Sequence, residues 1–275
     1  MAATPDRFGL TPQSGADVAG HGAESWACGD GALLPPAVQE LITTPLPAGV
    51  WPGQPPSPWQ RLCLQQLGSP ALPVGGFCYS EGLETLVEQG ILRDVSVLQR
   101  WLEAEQQRGA IRLDVAVLPR LLLLLRQGRD EEAQRLDRWL LAHRDVSAIR
   151  RQQLQMGASL LRLLRSLCTT PLPALRSASW PLAWALASVS LDLPPAATVE
   201  TYLYAWSANL ISAAVRLVPL GHTDGQVLQA RLIPMLQELA SQAGSLVPGR
   251  LWVESTGLSL AQLGHGELRT RLFRS

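Results

Sequence analysis

The stretch SPALPVGGFCYSEGLETLVEQG, residues 69–90, gathers the residue types closest to chemistry. It holds two adjacent glycines, a cysteine between aromatics, and Glu81, Glu84 and Glu88. Adjacent glycines can cradle a phosphate. A dinucleotide fingerprint, however, needs spaced glycines after a strand, and a Walker loop ends in Gly-Lys-Ser or Gly-Lys-Thr. Neither pattern is present, and a tight turn that lets two backbones approach accounts for Gly75 and Gly76. The glutamates are spaced by three and then four positions, which places them on one helical face. That face can serve acid–base chemistry, remain solvated, or meet a partner protein. Partner contact is the reading adopted, with Pro70 to Gly76 as the turn and Phe77 to Gln89 as the helix it orients.

Metal ligation has less to build on. Cys28, Cys63, Cys78 and Cys168 are isolated, with neither disulfide nor zinc spacing. Cys78, between Phe77 and Tyr79, reads as packed. Beyond the first sixty positions the histidines are His143, His222 and His265, far apart in sequence. His222 is placed to contact the turn at Asp224. His222 and His265 are the candidate ligands for a metal whose identity stays unknown. No catalytic residue is assigned and no cofactor is expected.

The terminal RTRLFRS differs in character. Arg269, Arg271 and Arg274 surround Leu272 and Phe273, ahead of Ser275. Arginine and aromatic anchors are what buried interfaces favour. The alternatives are a docking tail and a frayed terminus.

Composition bounds the rest. The 275 residues carry 23 basic and 23 acidic side chains, and every basic one is arginine. Without lysine there is no Schiff-base or Walker lysine. A neutral chain has no global field for nucleic acid. The cysteine usage fits a reduced, cytoplasmic setting, and the N-terminus shows no signal peptide. Leu121 to Leu125 is closed off by Arg120 and Arg126, and the apolar run Tyr202 to Val215 falls short of the ~20 residues of a membrane span. No membrane association is expected.

These residues must be positioned by helices. Residues 1–58 hold ten of the 21 prolines and eight of the 23 glycines, and read as a flexible extension with a short helix around Ala37 to Ile42. From 59 to 275 the apolar period is helical nearly throughout. Strand alternation is almost absent. The expectation is all-α: one helical-bundle domain of about eight to ten helices, ending in the docking tail.

Three stretches carry a resemblance. LPVGGFCYSEGLETLVEQGIL, YLYAWSANLISAAVRLVPLGHTDGQ and the terminal RLFRS resemble, in order, the urease accessory protein UreF family. The match covers about residues 62 to 275. Pro73, Gly75, Gly76, Phe77, Ser80, Gly82, Leu83 and Glu84 fit the first motif, and Pro219, Gly221, Asp224, Gly225 and Gln226 the second. Arg271, Leu272, Phe273 and Ser275 fit the tail. Met156, Gly157 and Leu160 fall where the family has a helix-breaking glycine and following leucines. The chain departs from the pattern at His222, where glutamine is more frequent, and at Gly266, where glutamate is. The resemblance implies an all-α homodimer, not itself an enzyme, that assists nickel insertion into apo-urease. It implies binding to UreD (also called UreH), a tail that becomes ordered against UreD, and recruitment of the GTPase UreG. Two rival readings remain: a helical enzyme whose site, around Glu81, Glu84 and His222, forms only in three dimensions, and a chaperone that binds nickel directly through His265 or intersubunit histidines.

Overall fold

The computed structural model describes residues 34–47, 49–168 and 171–274. The helices in chain order are α1 (Pro36–Thr43), α2 (Pro58–Leu67), α3 (Leu83–Glu88), α4 (Val95–Arg108), α5 (Ala110–Arg126) and α6 (Asp130–Ala142). There follow α7 (Ser147–Leu167), α8 (Trp180–Ser190), α9 (Pro195–Leu217), α10 (His222–Gln242) and α11 (Thr256–Gly264). Three single 3-10 turns, at Gly76–Cys78, Pro248–Arg250 and His265–Glu267, complete the set, and no strand occurs among the described residues.

Local signals set several of these boundaries. Ser57 and Gln60 form a reciprocal capping box at α2. Asp94 accepts the Val97 amide at 2.9 Å and so caps α4. Proline opens α1, α2 and α9, where a missing N–H has no intrahelical partner to lose. Pro119 lies within α5 without dividing it.

α8 is the centre of the molecule. Every residue from Trp180 to Ser188 is buried, as befits a helix that is apolar on all sides. α5 and α7 pack against it, and α10 lies against α9. The Trp184 ring meets Trp180 and Tyr202 edge-on at 5.2 and 5.4 Å, and its indole N–H donates to the Thr198 carbonyl. Such edge contacts add to the area buried by each ring.

α7 runs unbroken through Gly157, so this glycine does not break the helix. It admits a neighbour. A Cβ here would stand 2.2 Å from the Ala178 carbonyl oxygen and 2.7 Å from Ser179. Absence of a side chain therefore lets the chain entering α8 lie directly on α7. Asp137 of α6 fixes the same entry: its carboxylate accepts the Ser179 amide at 2.9 Å and the Ser179 hydroxyl.

The main compact unit starts at Leu34 and so includes α1. Val38 and Ile42 of α1 are buried in the core. Arg120, fully buried on α5, explains why. Its guanidinium donates to the carbonyls of Leu41, Thr44, Leu246 and Ala116. A buried cation needs such partners, and α1 and the Thr44 that follows it supply two of them. Burial still lowers the Arg120 pKa to about 10. Of the flexible extension expected over residues 1–58, residues 1–33 and 48 lie outside the described residues.

Among the described residues α11 brings the helices to eleven, where about eight to ten were expected. Its short, glycine-containing sequence shows little period, yet Leu258, Ala261 and Gln262 are buried. No helix among the described residues is long and apolar enough to cross a membrane.

Candidate functional site

The glycine-rich turn and the C-terminal tail meet. Pro73 is exposed, and Gly75 leads into the Gly76–Cys78 turn. The helix expected from Phe77 to Gln89 is shorter and starts only at Leu83. Glu81 and Gly82 explain the delay, with φ of 51° and 88°, in left-handed backbone space. Gly82 takes up this conformation without strain. A Cβ on Gly82 would also press on Leu258, Ala261 and Gln262 of α11 at 3.2 to 3.3 Å.

This backbone turn separates Glu81 from Glu84 and Glu88, which both lie in α3. Glu88 is exposed, Glu84 is buried against the tail, and Glu81 sends its carboxylate into the interior. They do not share one solvent face. The i, i+3 spacing between Glu81 and Glu84 fails because Glu81 precedes the helix.

Glu84 gathers the tail. Its carboxylate accepts the Leu272 amide at 2.5 Å, the Phe273 amide at 3.1 Å, and His265 Nε2 at 2.9 Å. A carboxylate only accepts, so Nε2 carries the hydrogen. The Arg274 amide donates to the Cys78 carbonyl at 2.9 Å. Phe273 is 5% exposed, with the Arg216 guanidinium 4.3 Å from its ring centroid. Arg216 also donates to the Phe77 carbonyl at 2.7 Å, so it links the turn to the tail. Arg216 is exposed, so its cation–π contact is worth about 0.5–1 kcal/mol.

The outward side of the tail is basic and apolar. Arg269, Arg271 and Arg274 are exposed, as is Leu272, and Arg271 donates to the Gly266 carbonyl at 2.6 Å. Ser275 lies outside the described residues. Ser80 and Leu83 are fully buried beneath the turn, and Phe77 is exposed beside it.

The second motif occupies the start of α10. Pro219 and Gly221 are exposed, and the Gly221 amide donates to Asp224. Gly225 is buried against Ile211 and Val215 of α9, and Gln226 faces solvent. His222 is exposed as the first residue of α10, while His265 is buried on Glu84. Among the described residues, no group of three or more His, Cys, Asp or Glu is arranged to hold a metal ion.

Behind the turn lies a cavity of about 90 Å³ with several buried charged groups on a largely apolar wall, roomy enough for water. Gln152 and Trp206 donate to Glu81 at 3.0 and 3.3 Å. Arg144 pairs with Asp114, which also accepts the Tyr202 hydroxyl at 3.0 Å. The Ser255 hydroxyl donates to Glu105 at 3.3 Å and accepts the Ala110 amide at 3.1 Å. Burial pushes Glu81 and Asp114 above the usual carboxylate range. Glu105 rises to about 7, mainly through burial and then through the Glu81 charge. The cavity can hold protons and water among buried acids. Of Glu81, Glu84 and His222, only Glu81 lines it.

Sequence reasoning missed Arg216, Arg144, Asp114 and Glu105. One signal was available: Asp114 and Arg120 stand in the otherwise apolar run LDVAVLPRLLLLL, and charges in a core helix demand partners.

Together these features define an all-α protein whose C-terminal tail folds back onto its own glycine-rich turn and completes one basic, apolar surface. Comparison with known proteins places that class. A family model described as UreF matches residues 92–233. The urease accessory protein UreF of Microcystis aeruginosa is 42% identical over 216 residues, spanning 78% of this chain and 98% of the relative. Its counterpart in Trichormus variabilis is 42% identical over 218 residues, 78% of this chain and 95% of the relative. That of Thermosynechococcus vestitus is 39% identical over 219 residues, 78% and 97%. The chain belongs to the UreF family of urease accessory proteins.

Proposed function

We propose that the chain is a non-catalytic scaffold in urease maturation. It binds the accessory protein UreD (UreH), and the joint surface recruits the GTPase UreG, which brings nickel to apo-urease. Nickel is the cargo of this assembly. The setting proposed is the cytoplasm, with the chain as a homodimer. The observation that carries the reading is the match to urease accessory proteins over 95–98% of their own length. The basic, apolar tail surface supports it, because Leu272 and the flanking arginines have the composition of an interface anchor.

The dispersal of Glu81, Glu84 and His222 favours a scaffold over a helical enzyme built on those three residues. Glu84 holds Nε2 of the buried His265, so direct nickel binding there would fall to Nδ1. Co-expression with cognate UreD and UreG, followed by size exclusion, tests the assignment. A shared peak containing all three is expected; separate elution of three folded proteins overturns it.

A further inference from the structure

α7 carries charge that its own fold does not use. Between Asp145 and Asp192 the chain has five arginines and no acid. Three of them, Arg151, Arg162 and Arg165, are exposed along α7. Steps of eleven and then three residues place them within an arc of about 60°, in a stripe about 21 Å long. Gln155, Ala158 and Ser159 lie between them on that side, uncharged and mostly small.

None of the three arginines belongs to an ion pair among the described residues. Arg151 donates to the Ser147 hydroxyl at 3.2 Å and Arg162 to that of Ser159 at 3.0 Å. The preceding helix treats arginine differently. On and beside α6, Arg129 pairs with Glu132 and Arg135 with Glu131, as a solvated helix does to gain stability. The α7 macrodipole explains only Arg165, which stands in the last turn. Arg151 stands near the other end, where acids are favoured and the first turn holds none.

We propose that this outer face of α7 is a docking surface for an acidic helix of a partner protein. Guanidinium forks match carboxylates two bonds at a time. The small residues between them let a second helix lie along the stripe. Duplex DNA fits poorly, because it offers a phosphate every ~3.4 Å along each strand. Between Arg151 and Arg162, by contrast, about 16 Å of helix carries no charge. A lipid surface would need an apolar band on the same face, and Gln155, Ala158 and Ser159 do not provide one. The assignment does not rest on the scaffold role, so failure to assemble with urease partners would leave it standing.

Fluorescence anisotropy with the full-length chain tests this. The probe is a labelled alanine-rich helical peptide whose glutamates are spaced eleven and three positions apart; its counterpart has glutamine there. The glutamate peptide is expected to bind about tenfold tighter or more, and less tightly as salt is raised. Arg151→Gln, Arg162→Gln and Arg165→Gln together are expected to weaken it about tenfold or more, with helicity and melting temperature kept. Arg93→Gln, Arg100→Gln and Arg231→Gln remove the same charge from exposed positions elsewhere, and are expected to change affinity by less than about twofold. If the α7 triple variant does not fold, Arg162→Gln with Arg165→Gln carries the test, with a loss of about threefold or more.

Equal affinity for the two peptides overturns the docking face. So does unchanged affinity in a folded α7 variant, or an equal loss in the control. A DNA duplex or phosphatidylserine vesicles that displace the glutamate peptide, and need the same three arginines, overturn the acidic helix as its occupant.

Discussion

Glu84 and His265, 181 positions apart in the chain, meet in a buried hydrogen bond of 2.9 Å. The bond joins the first motif of the domain to the segment beyond its last helix. It also leaves a defined expectation: His265→Ala costs about 1–3 kcal/mol, because a buried acceptor loses a donor. Urea denaturation of the two single variants and the double variant with Glu84→Gln measures the coupling. A coupling of about 0.5–3 kcal/mol is expected, and strict additivity would show that the bond contributes nothing.

Gly157→Ala brings a methyl group against the Ala178 carbonyl and Ser179. Neither is the far end of a flexible side chain, so α7 and α8 must separate. Destabilisation of about 3 kcal/mol or more is expected from such overpacking. Gly257→Ala is the control, since a Cβ there meets nothing within 4 Å. Equal melting temperatures for the two variants would refute the close approach.

Arg120→Met removes the donors to Leu41, Thr44 and Leu246 while keeping an unbranched apolar stem. Buried carbonyls left unsatisfied cost about 1–3 kcal/mol each before relaxation. Limited proteolysis is expected to cut between α1 and α2 in the variant at conditions that spare the unaltered chain. Identical digestion patterns would remove Arg120 as the anchor of α1.

Glu105 gives a pH dependence with a definite sign. Its pKa rises from near 4.5 to about 7 in the folded chain. Between those values the unfolded chain gives up a proton that the folded chain keeps, so this group's contribution to stability falls as pH rises through the window. Above pH ~7 its contribution is level. Glu105→Gln removes that slope, and its stability relative to the unaltered chain improves by on the order of 2–3 kcal/mol from pH 4.5 to pH 8. Urea midpoints at both pH values test this, and a pH-independent difference contradicts it.

The helical architecture was legible because apolar period and punctuation agree along the chain. Asp94 before α4, Gly109 after it, and the apolar run of α9 each state their local role. What could not be read depends on partners far off in sequence. The left-handed turn at Glu81 and Gly82, where α11 packs on Gly82, takes Glu81 off the helix, and the tail covers Glu84 but not Glu88. Gly157 reads as a weak point in a helix until the chain at Ala178 is set beside it. α1 is too short to bury much by itself, and its place is fixed by an arginine on another helix. The first motif and the tail were each visible as strings; their joining through one carboxylate was not.

The central claim is that the chain serves urease maturation, and restoring urease in a host that lacks only its own UreF tests it most directly. With the remaining urease genes and nickel present, expression of this chain is predicted to return nickel-dependent urease activity. Replacement by a chain lacking residues 272–275 is predicted to leave urease inactive while the accessory domain stays helical and folded. Urease that remains without nickel and inactive, despite abundant folded full-length chain alongside its cognate partners, would contradict the account.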